Sequence, residues 1–430
     1  MSRILATTDA FFEAGFGALL ARGVGEAQVA ETVREIIARV RRDGDAAVID
    51  YTNRFDRVRM GVADMRVTED EIAAAARQVS PELREALALA ARRIEAFHRA
   101  QLPKDFEFTD DVGARLGLRW GPLDAVGIYV PGGTASYPSS VLMNAIPARV
   151  AGVGRIAMCV PAPDGVLNPL VLAAASLVGV GEIYRIGGAQ AVAALAYGTA
   201  LIEKVDRITG PGNAYVAEAK RQVFGQVGID SVAGPSEVLI LADEGQNPVH
   251  LALDLLAQAE HDEDAQAILL TDDATLADAV LAAVQAALET LPRREIAAAS
   301  WHRHGAIILV RDWDEAVALA NRMAPEHLQL MLAQPQPIFE KIRHAGAIFL
   351  GVDTPEAIGD YVAGPNHVLP TFGTARFASG LSVYDFLKRT SWVALDEAAL
   401  RAIGPSAVAL AHAERLTAHA QSVAVRLAKT

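Results

Sequence analysis

Cysteine is almost missing from this 430-residue chain: Cys159 is the only one. That excludes an intramolecular disulfide and any cysteine-built zinc cluster, and it fits a reducing compartment. Aromatic residues are scarce at 6%, while Ala, Val, Leu and Gly are abundant, the balance of α/β proteins with short strands and Ala-rich helices. Basic residues are outnumbered, giving a formal net charge of -13 with no polybasic tract. Phosphate backbones demand clustered Lys and Arg, so nucleic acid is excluded as the main partner. Long apolar runs are lacking too, the longest (residues 170–181) falling far short of a bilayer span. The N-terminal stretch has no basic start, apolar run and small-residue cleavage site in signal-peptide order. A soluble, cytoplasmic protein without membrane contact is expected. What is present is 52% hydrophobic, enough to build the cores of two or three domains and to exclude wholesale disorder.

Residues 1–23 read as an amphipathic helix. Residues 26–42 carry Val29, Val33, Ile36, Ile37 and Val40 at helical spacing and end at Asp43-Gly44. A second long helix spans 81–99, with Pro81 at its start, where a missing N–H costs nothing. Short strands follow over 106–130, with Gly113, Gly117 and Gly121-Pro122 marking turns. Helices then alternate with strands at 156–160, 183–186 and 205–209, and again at 238–242, 267–270, 306–310, 328–332 and 347–350. Such alternation with short loops predicts parallel sheets covered by helices on both faces. Gly152-Val153-Gly154 and Gly179-Val180-Gly181 fall where helices end and read as C-caps. Gly152-x-Gly154-x-x-Ala157 is therefore no dinucleotide fingerprint, which needs the strand before it and the helix after it. Beyond Ser382 the pattern is helical, with a long terminal helix over 408–427. No low-complexity segment or Ser/Gly linker separates these regions, so closely packed domains are expected.

Polar residues gather at a few places. Gln258 and His261 lie at i and i+3 in an acidic cluster, so they share one helical face. An imidazole beside an amide oxygen suits a divalent metal, but two ligands are too few for a site, and standing alone the cluster reads better as a solvated helix end. Glu326-His327 opens a strand and offers two bases of different intrinsic pKa, with a surface ion pair as the bland alternative. Neither this pair nor Glu260-His261 extends to H-E-x-x-H. The Gly/Pro-rich loop 359–370 holds Asp360, Asn366 and His367, and Asp360 could complete a metal site. Glu414 and His419 stand at i and i+5 on the terminal helix, off one stripe, and His419 alone reads as merely exposed. Tyr129-Val130-Pro131-Gly132-Gly133 follows a strand and precedes a helix, where a ligand can approach the backbone. Gly234-Pro235-Ser236-Glu237 sits at the crossover between the two α/β series, a favoured place for a cleft.

Those loops, with Gly210-Pro211-Gly212-Asn213-x-Tyr215-Val216, Gln258-Ala-Glu-His261, Pro325-Glu326-His327 and Gly364-Pro365-Asn366-His367-Val368-Leu369-Pro370, occur in an order that resembles the histidinol dehydrogenase family. The resemblance runs from about residue 25 to the C-terminal helix. It implies a zinc- and NAD-dependent oxidation of L-histidinol to L-histidine in two steps, the last of histidine biosynthesis. It implies one zinc per subunit on Gln258, His261, Asp360 and His419, the last reaching across from the partner of a homodimer. Glu326 and His327 match the catalytic bases. Ser236, His367 and Glu414 match residues that hold the substrate, together with His327 and the zinc ligands. Tyr129, Gln190 and Asn213 match positions that contact NAD. The implied fold is α/β, two incomplete Rossmann-like domains resembling the aldehyde dehydrogenases, with small helical terminal segments that interlock the dimer. The expected division is 1–25, a discontinuous α/β domain of 26–128 and 237–381, a second α/β domain of 129–236, and a C-terminal dimerisation segment of 382–430. Two rivals stay open: a related dehydrogenase of another small polar alcohol, and a metal-dependent hydrolase that turns over without NAD. Aldehyde dehydrogenases proper use a cysteine nucleophile. Cys159 lies inside an apolar strand and reads as core, so a water-based second step is expected.

Overall fold

The computed structural model describes residues 3–21, 27–132 and 137–428. Two parallel sheets carry the molecule. The five-stranded sheet has the order Glu182–Tyr184, Arg155–Cys159, Ala125–Tyr129, Arg207–Thr209, Gly228–Ile229. The six-stranded sheet has the order Arg3–Ala6, Ala306–Leu309, Gln266–Thr271, Glu237–Ala242, His327–Met331, Ala347–Leu350. Every neighbouring pair in both runs parallel. The sequence reason is visible in Glu237–Ala242 and Gln266–Thr271, whose six residues each are all buried, so neither strand alternates. The helices between strands start on side-chain caps: Asn213, Asn247 and Asp273 each accept an N–H of the first turn. Gly152 ends the helix Pro138–Ala151 at φ 93°, the left-handed C-cap expected of it.

The ends of the chain depart from expectation. Arg3–Ala6 is a strand, not the start of a helix, and adds an edge to the six-stranded sheet with Ile4 beside Ile307. Helix begins only at Phe12. Leu387–Ala394 is also a strand, pairing antiparallel along the whole of Arg115–Pro122 in a three-stranded sheet completed by Phe106–Thr109. The β-branched and aromatic residues of Arg389-Thr390-Ser391-Trp392-Val393 favour that choice. The terminal helix is two helices, Glu397–Ala413 and Thr417–Leu427, broken where Arg415 takes φ 61°.

The helices between residues 27 and 100 pack on the five-stranded sheet. Val33, Ile36 and Val40 share a core with Ala157, Ile186 and Leu195. Ile72, Ala90 and Ile94 share one with Val126, Ile128 and Met158. An apolar helical stripe says that a helix covers something, not which sheet it covers. Val368, Leu381 and Phe386 join the same core, so the segment after the six-stranded sheet returns to the other half. Among the described residues no helix is long and apolar enough to cross a membrane.

Candidate active site

His327 begins its strand between Val238 and Ala347, buried at the amino end of the six-stranded sheet. Its Nδ1 lies 3.0 Å from the carbonyl oxygen of Glu237. A carbonyl only accepts, so Nδ1 carries the hydrogen and Nε2 is left as the base. The adjacent carboxylate of Glu326 accepts the N–H of the same Glu237 at 2.9 Å. One backbone unit therefore anchors both bases. Burial lowers the pKa of His327, partly offset by Asp360, and keeps it neutral and able to take a proton. Burial pushes Glu326 well above the usual carboxylate range, and Glu237, Glu356 and Asp360 add repulsion. A cation placed nearby would bring it back down.

Gln258 closes the helix Pro248–Ala259, fully buried, and its Oε1 accepts no hydrogen bond among the described residues. His261 follows on the next turn, its N–H donating to the Gln258 carbonyl at 3.2 Å. The ring sits at the cleft rim with a 38% exposed side chain, Nε2 3.9 Å from Asp360 Oδ2. Desolvation in the cleft lowers its pKa to about 4, and the His327 and Arg293 charges act in the same direction. The other Asp360 oxygen is 3.7 Å from His367 Nδ1, and that nitrogen is 3.1 Å from the Asp360 carbonyl. Burial pushes Asp360 up to about 7 and His367 down to about 4.

The structure thus brings Gln258, His261, Glu326, His327, Asp360 and His367 together, with Ser236 half-buried just ahead of Glu237. It adds Glu356, which the sequence reading missed. This carboxylate is 2% exposed, its Oε1 lies 3.6 Å from His327 Nε2, and burial raises its pKa to about 7. Its signal was its position four residues before Asp360, one helical turn along the same face. His327, Glu356 and Asp360 place one ligand atom each within 4.8 Å of one another. Glu414 and His419 are exposed on either side of the helix break and do not join this group.

The loop that carries His367 is tied to the other half. Asn366 donates to the Met143 carbonyl at 2.6 Å and accepts the Val368 N–H at 2.9 Å. Arg93 donates to the carbonyls of Val362 and Ala363. Both anchors stand on helices that cover the five-stranded sheet, Pro81–Ala100 and Pro138–Ala151.

On the five-stranded sheet the residues singled out follow strand carboxyl ends. Tyr129 is buried, and its hydroxyl accepts the N–H of Gly188 at 3.1 Å. Gln190 is buried with an Oε1 that accepts no hydrogen bond among the described residues. Asn213 caps the helix Ala214–Val223 by accepting from Tyr215 and Val216 N–H, both at 3.1 Å. Gly210 stands at φ 111°, where a Cβ would drive into the Tyr129 carbonyl. These loops flank the point where the strand order reverses, the usual crevice of an open parallel sheet. Gly133, the last residue of the first glycine loop, lies outside the described residues.

An anchored acid–base pair, a buried amide oxygen without a partner among the described residues and an α/β crevice define an enzyme site. The chain matches the family described as histidinol dehydrogenase over residues 21–427. It is 65% identical over 426 residues to the histidinol dehydrogenase of Gluconobacter oxydans, covering 99% of each chain. It is 62% identical over 421 residues to that of Rhizobium meliloti, covering 97% of each. The crystal structure of histidinol dehydrogenase from Elizabethkingia anophelis superimposes with a TM-score of 0.94 at 39% identity, covering 99% of this chain and 98% of that one. The chain belongs to the histidinol dehydrogenase family, a family of oxidoreductases.

Proposed function

We propose that the protein oxidises L-histidinol to L-histidine with two NAD, the last step of histidine biosynthesis, as a cytoplasmic homodimer with one zinc per subunit. The observation that carries this reading is one cluster in which the anchored, buried Glu326–His327 pair meets Gln258, His261 and Asp360. The zinc assignment has its own support. Gln258 Oε1 is a buried oxygen without a donor among the described residues, and His261 Nε2 and Asp360 Oδ2 stand 3.9 Å apart. Ligand atoms about 2.0–2.2 Å from one zinc lie roughly 3–4 Å from each other. His419 of the partner subunit would be the fourth ligand, which agrees with the exposure of His419 on this chain. When bound, zinc would hold the imidazole and amine nitrogens of histidinol and so fix the alcohol in place.

The remaining chemistry belongs to the side chains. Ser236, His367 and Glu414 hold the substrate. His327 Nε2 takes the hydroxyl proton while a hydride leaves the carbinol carbon for the first NAD, lodged against Tyr129, Gln190 and Asn213. The aldehyde stays in the cleft. Glu326 takes a proton from water as its oxygen adds to the aldehyde carbon. The His327 imidazolium hands the alcohol proton to the aldehyde oxygen in that step, and the neutral ring then deprotonates the hydrate as a second hydride leaves for the second NAD. Alcohol, water and two NAD become carboxylate, two NADH and three protons. No cysteine takes part: Cys159 is fully buried in its strand, and burial pushes its thiol far above the reactive range.

Counting NADH per L-histidinol consumed, with chelator and with zinc restored, tests this reading. Two per substrate, lost to the chelator and regained with zinc, is the expected result. No NADH from folded, zinc-loaded protein would redirect the reading to another small polar alcohol. Mixing inactive His419→Ala and Glu326→Ala chains tests the shared site, since hybrids should recover part of the activity.

A further inference from the structure

Gln329 is a polar residue in the middle of the buried strand His327–Met331, with no exposed surface at all. An amide in that position is costly unless both ends are bonded. Both are: Nε2 donates to Asp254 Oδ2 at 2.7 Å, and Oε1 accepts the Glu356 N–H at 3.3 Å. The partners stand on two different elements. Asp254 precedes Gln258 by four residues on the helix Pro248–Ala259, so both lie on one stripe. Glu356 precedes Asp360 by four residues at the start of the short helix Ala357–Tyr361. The strand between them also presents His327, two residues before Gln329 and therefore on the same face.

We propose that Gln329 is a positioning residue that sets the spacing between the two arms of the metal site, the Gln258/His261 arm and the Asp360 arm. The inference rests on the reading that zinc is held by those residues. Neither arm is fixed by the other directly, since Gln258 Oε1 makes no hydrogen bond among the described residues and His261 and Asp360 stand 3.9 Å apart. The amide joins them one turn back from the ligands. Its loss leaves each ligand intact but frees the distance between them. Such supporting groups are typically worth about 10–100-fold in metal affinity.

The test is the zinc dissociation constant of metal-stripped full-length protein, measured by competition with a chromophoric chelator at a temperature where each variant is fully folded. General loss of stability does not move that constant. Gln329→Met should bind zinc about 10–100-fold more weakly and recover turnover when zinc is raised. Asp254→Asn keeps an acceptor for the amide and should bind as the wild type does, while Asp254→Leu should behave like Gln329→Met. That pair decides the matter if Gln329→Met fails to fold. Asp360→Asn serves as the control for the site itself. Wild-type affinity in Gln329→Met or Asp254→Leu, beside a weakened Asp360→Asn, would overturn the inference alone. Wild-type affinity in Asp360→Asn would overturn the zinc assignment and the inference with it.

Discussion

In the five-stranded sheet the proposed NAD contacts Tyr129, Gln190 and Asn213 follow the carboxyl ends of strands, whereas in the six-stranded sheet Glu237 and His327 stand at the amino ends. The two edges offer opposite electrostatics. At strand carboxyl ends helices begin, so unpaired N–H groups and positive helix termini face the crevice and suit a pyrophosphate. At strand amino ends helices finish: Gln258 lies in the last turn of Pro248–Ala259, whose carbonyl end favours a cation. The same edge supplies the Glu237 carbonyl that fixes the His327 tautomer. On the proposed assignment, two sheets of the same parallel type would sort an anionic cofactor from a cationic one by which end they turn to the cleft.

The sharpest way to separate the halves is His327→Asn. It should lower kcat about 10²–10⁴-fold, the usual worth of a general base, while NADH binding by fluorescence titration stays unchanged. Loss of NADH binding would mean the two edges are not independent. Gly210→Ala is the converse. Its Cβ has no room beside the Tyr129 carbonyl at φ 111°, a strain on the order of 1–3 kcal/mol. NADH binding should fall about 5–150-fold, since each 1.4 kcal/mol is a factor of ten, with zinc content unchanged by metal analysis.

A third prediction concerns pH. Burial lifts Glu356 and Asp360 to about 7 from 4.5 and 3.8. Between those values the metal-free folded protein keeps protons that the unfolded chain has lost, so this pair favours folding in acid. The contribution fades as pH rises through about 7 and is constant above it. Buried histidines act in the opposite sense but are common to wild type and variant. Metal-free Glu356→Gln/Asp360→Asn should therefore gain Tm relative to wild type between pH 5 and pH 8, by about 1 °C for each kcal/mol in a chain of this length. A Tm difference that is flat with pH would contradict the burial account. The smallest effect is expected from Cys159→Ala in the half assigned to NAD: turnover within about twofold of wild type and a loss near 1 kcal/mol in denaturant unfolding.

Much of this was legible before the coordinates. The parallel strands and their glycine caps follow from alternation and turn chemistry, and the motif order resembling the family named Glu326, His327, Asp360 and His367, which the structure gathers. Two of the edge strands were not legible. Arg3–Ala6 is four residues long and Leu387–Ala394 has mostly exposed side chains, so neither displays a buried run, and pairing partners over 100 residues away decide both. Glu356 and Gln329 escaped for a different reason: lone polar residues near apolar neighbours gain meaning only when folding places His327, Asp254 and Asp360 around them. Which sheet the 27–100 helices cover was equally a matter of tertiary contact.

The measurement that tests the two-edged cleft most directly is diffraction at the zinc absorption edge from crystals grown with zinc, histidinol and NAD. The account predicts an anomalous peak among Gln258, His261 and Asp360, completed by His419 of the partner subunit, and NAD density over Tyr129, Gln190 and Asn213. A peak centred on His327, Glu356 and Asp360, which also lie close enough to hold an ion, would take His327 out of its role as the base and contradict the account.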